Sequence, residues 1–110
     1  MAYDQDLANR LRELLSPQRG VEEKAMFGGL GFLIGGHLAV AANRSGGLLV
    51  RVPPDDAEMF LRRAHVEPMV MGGREMRGWL RVDGAGVRTT RQLAGWVDRS
   101  VEFVRGLPPK

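Results

Sequence analysis

The stretch Met26-Phe27-Gly28-Gly29-Leu30-Gly31-Phe32-Leu33-Ile34-Gly35-Gly36-His37 alternates apolar residues with glycines. Leu30, Phe32 and Ile34 sit two apart and share one face of an extended chain, while Gly31 and Leu33 point the other way. No acid, base or nucleophile precedes His37 within it. The pattern is that of buried sheet backbone, not of a reaction centre. Gly35-Gly36 suits a hairpin turn, because apolar strands flank it on both sides. Gly28-Gly29 fits two structures: a two-residue hairpin turn, or a kink inside one long strand running from about Glu22 to Ile34. In both, adjacent glycines inside an apolar strand imply a backbone conformation that other residues resist, or a neighbouring backbone lying close.

Helical periodicity flanks this extended region at both ends of the chain. Leu7, Leu11, Leu14 and Leu15 form one apolar stripe, predicting a helix from about Asp4 to Leu15. Asp4 and Asp6 favour its positive end, and Ser16-Pro17 stops it. After the glycine stretch, Leu38 to Ala42 is the next strand, Asn43-Arg44-Ser45-Gly46-Gly47 a turn, and Leu48 to Val52 the close of a three-stranded meander. Pro53-Pro54-Asp55-Asp56 opens a short helix to about Ala64, with Ala57, Phe60, Leu61 and Ala64 on its buried side. Val66 to Met71 and Met76 to Asp83 form a second hairpin around Gly72-Gly73-Arg74-Glu75. Thr89 and Gln92 make a capping box for a last helix. Its apolar stripe is Leu93, Trp96, Val97, Val101, Val104 and Leu107, which predicts that Trp96 is buried against the sheet. Gly106 and Pro108-Pro109 end it. The order is α-β-β-β-α-β-β-α. Short turns between strands imply an antiparallel sheet with packed helices, an α+β two-layer sandwich.

A chain of 110 residues, 44% hydrophobic and 26% charged, is expected to fold as one domain over residues 1–110 with a real core. It has no cysteine, which excludes disulfide and thiolate chemistry and suits a cytoplasmic setting. The N-terminus carries acids where a signal peptide needs bases, and no apolar run is long enough to span a bilayer. The net charge of +3 is uneven: residues 1–69 sum to −1 and residues 70–110 to +4. That excess could attract nucleic acid, although a solvated arginine surface explains it as well.

Few residues invite a chemical role. His37 and His65 have no second histidine, cysteine or carboxylate at a metal-site spacing. His37 is expected as an exposed residue at a strand start, and His65 as a cap on a helix end. Gly28-Gly29-Leu30-Gly31 lacks the Lys-Ser/Thr ending and the following helix of a phosphate loop. Ser16, Ser45 and Ser100 lack nucleophile-elbow surroundings. Asp55, Asp56 and Glu58 are explained by their place in a helix's first turn. No catalytic residue, metal ligand or cofactor is therefore expected. Arg77, Trp79 and Arg81 are the best surface candidate. In a regular strand they project from one face, and an aromatic between arginines is what single-strand nucleic-acid surfaces use. The plainer alternative is that Trp79 packs under a helix or partner, with arginine stems covering its edges.

Lys24, Met26-Phe27-Gly28-Gly29, Gly31-Phe32 and Gly36 together resemble the hallmark of TfoX N-terminal domains, a family named after a bacterial regulator of DNA-uptake competence. The resemblance covers nearly the whole chain, as a single-domain form. It implies a two-layer sandwich similar to secretion-chaperone-like folds, and it favours the kink at Gly28-Gly29. It further implies a non-enzymatic regulatory or protein-interaction domain, acting alone as a homodimer or with a protein partner. The alternatives are a weak nucleic-acid-binding module and a small-molecule-binding protein or enzyme.

Overall fold

A computed structural model describes residues 4–26, 28–43 and 46–108. Helix α1, Gln5–Leu15, starts where the Asp4 carboxylate accepts a hydrogen bond from the Leu7 backbone N–H. It buries Leu7, Ala8, Leu11 and Leu15. The strands that follow are β1 (Val21–Met26), β2 (Gly29–Ile34), β3 (His37–Ala42) and β4 (Leu48–Arg51). A 3-10 turn, Pro54–Asp56, leads into the short helix α2 (Ala57–Leu61). Then come β5 (Val66–Met71), β6 (Arg74–Val82), a 3-10 turn at Gly84–Val87, and helix α3 (Thr90–Arg105). The capping box of α3 is formed in full by Thr89 and Gln92. No helix among the described residues is long and apolar enough to cross a membrane.

All strand pairs are antiparallel, in the order β1-β2-β3-β4-β6-β5. The α+β class and the succession of helix, strands, helix, strands, helix are as the sequence implies. One correction falls inside the first strand block. The extended stretch from about 22 to 34 is two strands forming a hairpin, not one kinked strand, so the sheet has six strands. Met26 pairs with Gly29, and Gly28 takes φ +75. A side chain at Gly29 would overlap the Ala42 carbonyl oxygen of β3. The glycine pair thus meets both demands expected of it, a left-handed turn residue and a close backbone approach. Phe27 and the tip residues Arg44 and Ser45 lie outside the described residues.

The helices lie on one face of the sheet. Register places Phe32, Val40, Val50 and Leu80 in one row across β2, β3, β4 and β6. Leu30, Ala42, Leu48 and Val82 form the next. These residues are buried in a core completed by α1, α2 and α3. Trp96 is buried at 5% exposure and meets Phe60 of α2 edge to face, ring centres 5.3 Å apart. At the β2–β3 bulge the register passes from Phe32–Val40 to Leu33–Leu38, leaving Ala39 without a partner on β2. The buried Ser100 hydroxyl of α3 donates to the Ala39 carbonyl at 2.8 Å. A carbonyl displaced from the ladder is satisfied from the helix layer.

Candidate functional site

Among the described residues the opposite face of the sheet carries no helix. The residues that point to it follow from the same register. Gly31, Ala41, Leu49, Arg81 and Glu67 form one row from β2 to β5, and Leu33 faces Leu38 beside it. Around the Leu49 floor stand Met26 from β1, Met69 and Met71 from β5, and Met76 from β6. Four of the chain's six methionines thus line one groove of about 310 Å³. All of its lining residues come from strands and turns. Leu49 itself is buried, Met69 half-buried, and Met71 and Met76 are 39% and 38% exposed. Methionine side chains are unbranched and polarizable, so such a lining adapts to a partner's shape.

The glycine motif builds one wall of this groove. The positions a Cβ on Gly31 would crowd are taken by the Met26 sulfur and a Leu38 methyl. Lacking a side chain, Gly31 lets both fold across it. Lys24 is exposed on β1, Phe32 is fully buried on the helix face, and Gly36 completes the β2–β3 turn at φ +85. These motif residues shape backbone and packing.

Arg51 and Trp79, paired across β4 and β6, mark the groove's rim. The Arg51 guanidinium lies 5.1 Å from the Trp79 ring centre and 5.5 Å from that of Phe103 on α3. It therefore joins the open face to the end of the helix layer by stacking on both rings.

Arg77, Trp79 and Arg81 lie on a strand whose regular alternation is interrupted, and Arg77 and Trp79 line one cavity beside α2. Gly78 sits between the first two at φ +86, and its carbonyl accepts from the Val52 N–H. A Cβ there would lie 3.1 Å from the Val52 carbonyl oxygen and 3.2 Å from Pro54. This left-handed residue interrupts the two-residue alternation. Arg77 reaches Asp55, Nη2 to Oδ1 at 3.2 Å, while Trp79 is covered by Arg51. Arg81 faces Glu67 across the ladder. The methionine groove, which sequence reasoning missed, had one local signal, the i, i+2 spacing of Met69 and Met71. Met76 stands across the same hairpin on β6, and Met26 comes from the distant β1–β2 hairpin.

His37 opens β3 as expected but is not exposed, and His65 does not cap a helix. His37 is half-buried, its Nε2 lies 2.6 Å from the Pro108 carbonyl, and its Nδ1 is buried with no hydrogen-bond partner among the described residues. Helix α2 ends at Leu61, too early for His65 to cap it. His65 takes φ +72 and places Nδ1 3.1 Å from Asp83 Oδ2. Desolvation, the largest single influence, pushes the Asp83 carboxyl up. Hydrogen bonds from His65, Gly86 and Ala85 outweigh it and hold the group below the usual carboxylate range. Glu23 is also held low, by the Arg12 hydrogen bond above all, with Nε to Oε2 at 2.7 Å. Among the described residues no three His, Cys, Asp or Glu side chains converge as a metal site would need.

A family model described as the TfoX N-terminal domain matches residues 13–104. The match takes in the hairpin glycines, the open face and nearly all of α3. No curated protein and no solved structure matches the chain.

Proposed function

This chain belongs to the TfoX N-terminal domain family, and on that premise we propose that it is a non-enzymatic regulatory domain working through protein contact. The observation that carries the reading is the helix-free sheet face with its methionine groove. Solvated apolar surface of this kind marks contact sites, and the groove's lining can repack around a partner's apolar side chains. Charge rings it without filling it: Lys24, Arg51, Arg81 and Glu67 surround an uncharged floor. Polar rims of this sort favour a protein surface over a lipid one. The nucleic-acid alternative has less support, since Arg77 is held by Asp55 and Trp79 is already covered by Arg51.

The test compares wild type with Met71→Glu/Met76→Glu, two exposed positions whose substitution leaves the core intact. Sedimentation analysis reads self-association, and a pull-down from the native cells followed by reconstitution with the purified captured protein reads a partner. Loss of either association in the double variant, at unchanged melting temperature, is the expected result. Associations that ignore the substitutions would overturn the reading.

A further inference from the structure

A second surface, on the helix-bearing side, has a different chemistry. Three arginines surround a notch of about 320 Å³: Arg63, just beyond α2, and Arg91 and Arg99 on α3. Arg91 and Arg99 are eight residues apart, so they project from one helix face with Gly95 between them. The Arg63 guanidinium lies 5.0 Å from the Phe60 ring centre and 5.5 Å from that of Trp96. Arg99 lies 4.9 Å from Phe60. Stacking uses the faces of these groups and leaves their in-plane N–H donors to other acceptors. No carboxylate lines the notch. Among the described residues none of the three arginines makes an ion pair, and none donates a hydrogen bond to protein.

Gly95 is the second, independent observation. A glycine inside a helix costs roughly 1 kcal/mol against alanine. At most such sites close packing explains it, but a Cβ on Gly95 would meet nothing within 4 Å. Its backbone is helical and needs no positive φ. Packing therefore gives no reason for glycine here. Its effect is to keep open the gap between two cations, where any larger side chain would intrude.

We propose that this notch binds a phosphate monoester of a small organic molecule. A dianion matches three guanidiniums lining one notch, each able to donate two parallel hydrogen bonds to phosphate oxygens. Trp96 and Val66 offer an apolar wall for the organic part. The volume is at the lower end of small-ligand pockets, which excludes a large one. The site is on the other layer from the methionine groove and does not depend on the protein-contact reading.

The test titrates isotope-labelled protein with inorganic phosphate, adenosine monophosphate, adenosine and a thymidine oligonucleotide, all at matched ionic strength. The Gly95 and Gln92 amides and the Trp96 indole N–H report binding. Adenosine monophosphate is expected to saturate in the submillimolar range, phosphate to bind more weakly, and adenosine to leave the signals unmoved. Arg63→Gln/Arg99→Gln should weaken the nucleotide about tenfold or more, as loss of charge-assisted donors implies. That variant also loses stacking on Phe60, so Gly95→Glu guards against a folding artefact. It places a carboxylate in the notch while improving helix propensity. It should melt at or above the wild-type temperature and bind no nucleotide. Equal responses to adenosine and its monophosphate, or full binding by Gly95→Glu, would overturn the proposal. So would oligonucleotide binding through the same residues without any monoester response.

Discussion

Phe32 and Leu33 are neighbours in β2, yet they belong to opposite faces of the sheet. Phe32 lies in a row with Val40, Val50 and Leu80 under the helices and has no solvent exposure. Leu33 faces Leu38 on the helix-free side and is half-buried in a groove walled by methionines. Both faces are apolar, so hydrophobicity alone does not tell them apart. What differs is the shape of the side chains and the cover above them. Branched and aromatic residues with few rotamers fill the helix side, and unbranched methionines line the other. Rigid close packing holds a fold together, whereas a deformable, partly wet lining keeps its surface available for contact.

The adjacent pair turns this difference into a measurement. Phe32→Ala removes a fully buried ring from the helix-covered core and should cost about 3–5 kcal/mol. Leu33→Ala gives up a side chain already partly in water and should cost about 1 kcal/mol. Urea midpoints of the two variants read the difference. Equal losses would mean that the two faces contribute alike to stability, and that the groove belongs to the core.

A smaller effect separates the faces by their polar groups. On the covered side Ala39 at the bulge has no partner on β2, and its carbonyl accepts from the buried Ser100 hydroxyl of the helix layer. Ser100→Ala keeps the helix and the volume nearly unchanged but strands that acceptor in a dry interior. The expected loss is about 1–3 kcal/mol, read by denaturant unfolding. A midpoint at wild type would show that water reaches Ala39, and that the covered face is less sealed than its burial implies.

The same contrast explains what could be read from the chain alone. Thr89 and Gln92 announce α3 because a capping box is local, and Trp96 falls on its buried stripe by simple periodicity. The Gly28-Gly29 pair was legible as a special backbone but not as a hairpin. The choice rests on Met26 meeting Gly29 and on Ala42 closing over it, contacts with a later strand. Gly78 looks like any strand glycine, and the Val52 carbonyl and Pro54 that would crowd a side chain there come from another part of the chain. The methionine groove draws on all six strands, and the arginine notch on α3 and the segment that follows α2, so neither leaves a compact motif in the sequence.

The smallest expected effect concerns the rim of the covered face, where α1 is tied to the sheet edge. Arg12 on α1 grips Glu23 on β1 with two hydrogen bonds, 2.7 and 2.8 Å. Glu23 stands opposite Phe32, on the helix side of an otherwise exposed edge strand. The Arg12 hydrogen bond lowers the Glu23 pKa in the folded state. A carboxyl with a depressed folded-state pKa contributes stability that is present above its unfolded value. That stability is lost as pH falls through the folded one. The loss therefore belongs to the window from about pH 5 down to about pH 3. Both side chains are well exposed, so screening holds the gain to a few tenths of a kcal/mol. Asp83 is lowered too and titrates with the same sign, so wild type alone cannot isolate the Glu23 part. Glu23→Gln can, because it removes one group and leaves the other. The variant should lose slightly less stability than wild type between pH 6 and pH 3 (roughly, from the carboxylate range), and half-molar salt should shrink the gap. Melting curves at both pH values check it. A gap of the opposite sign would mean that Arg12 does not hold Glu23 in solution, and that α1 is fixed to the sheet by its leucines alone.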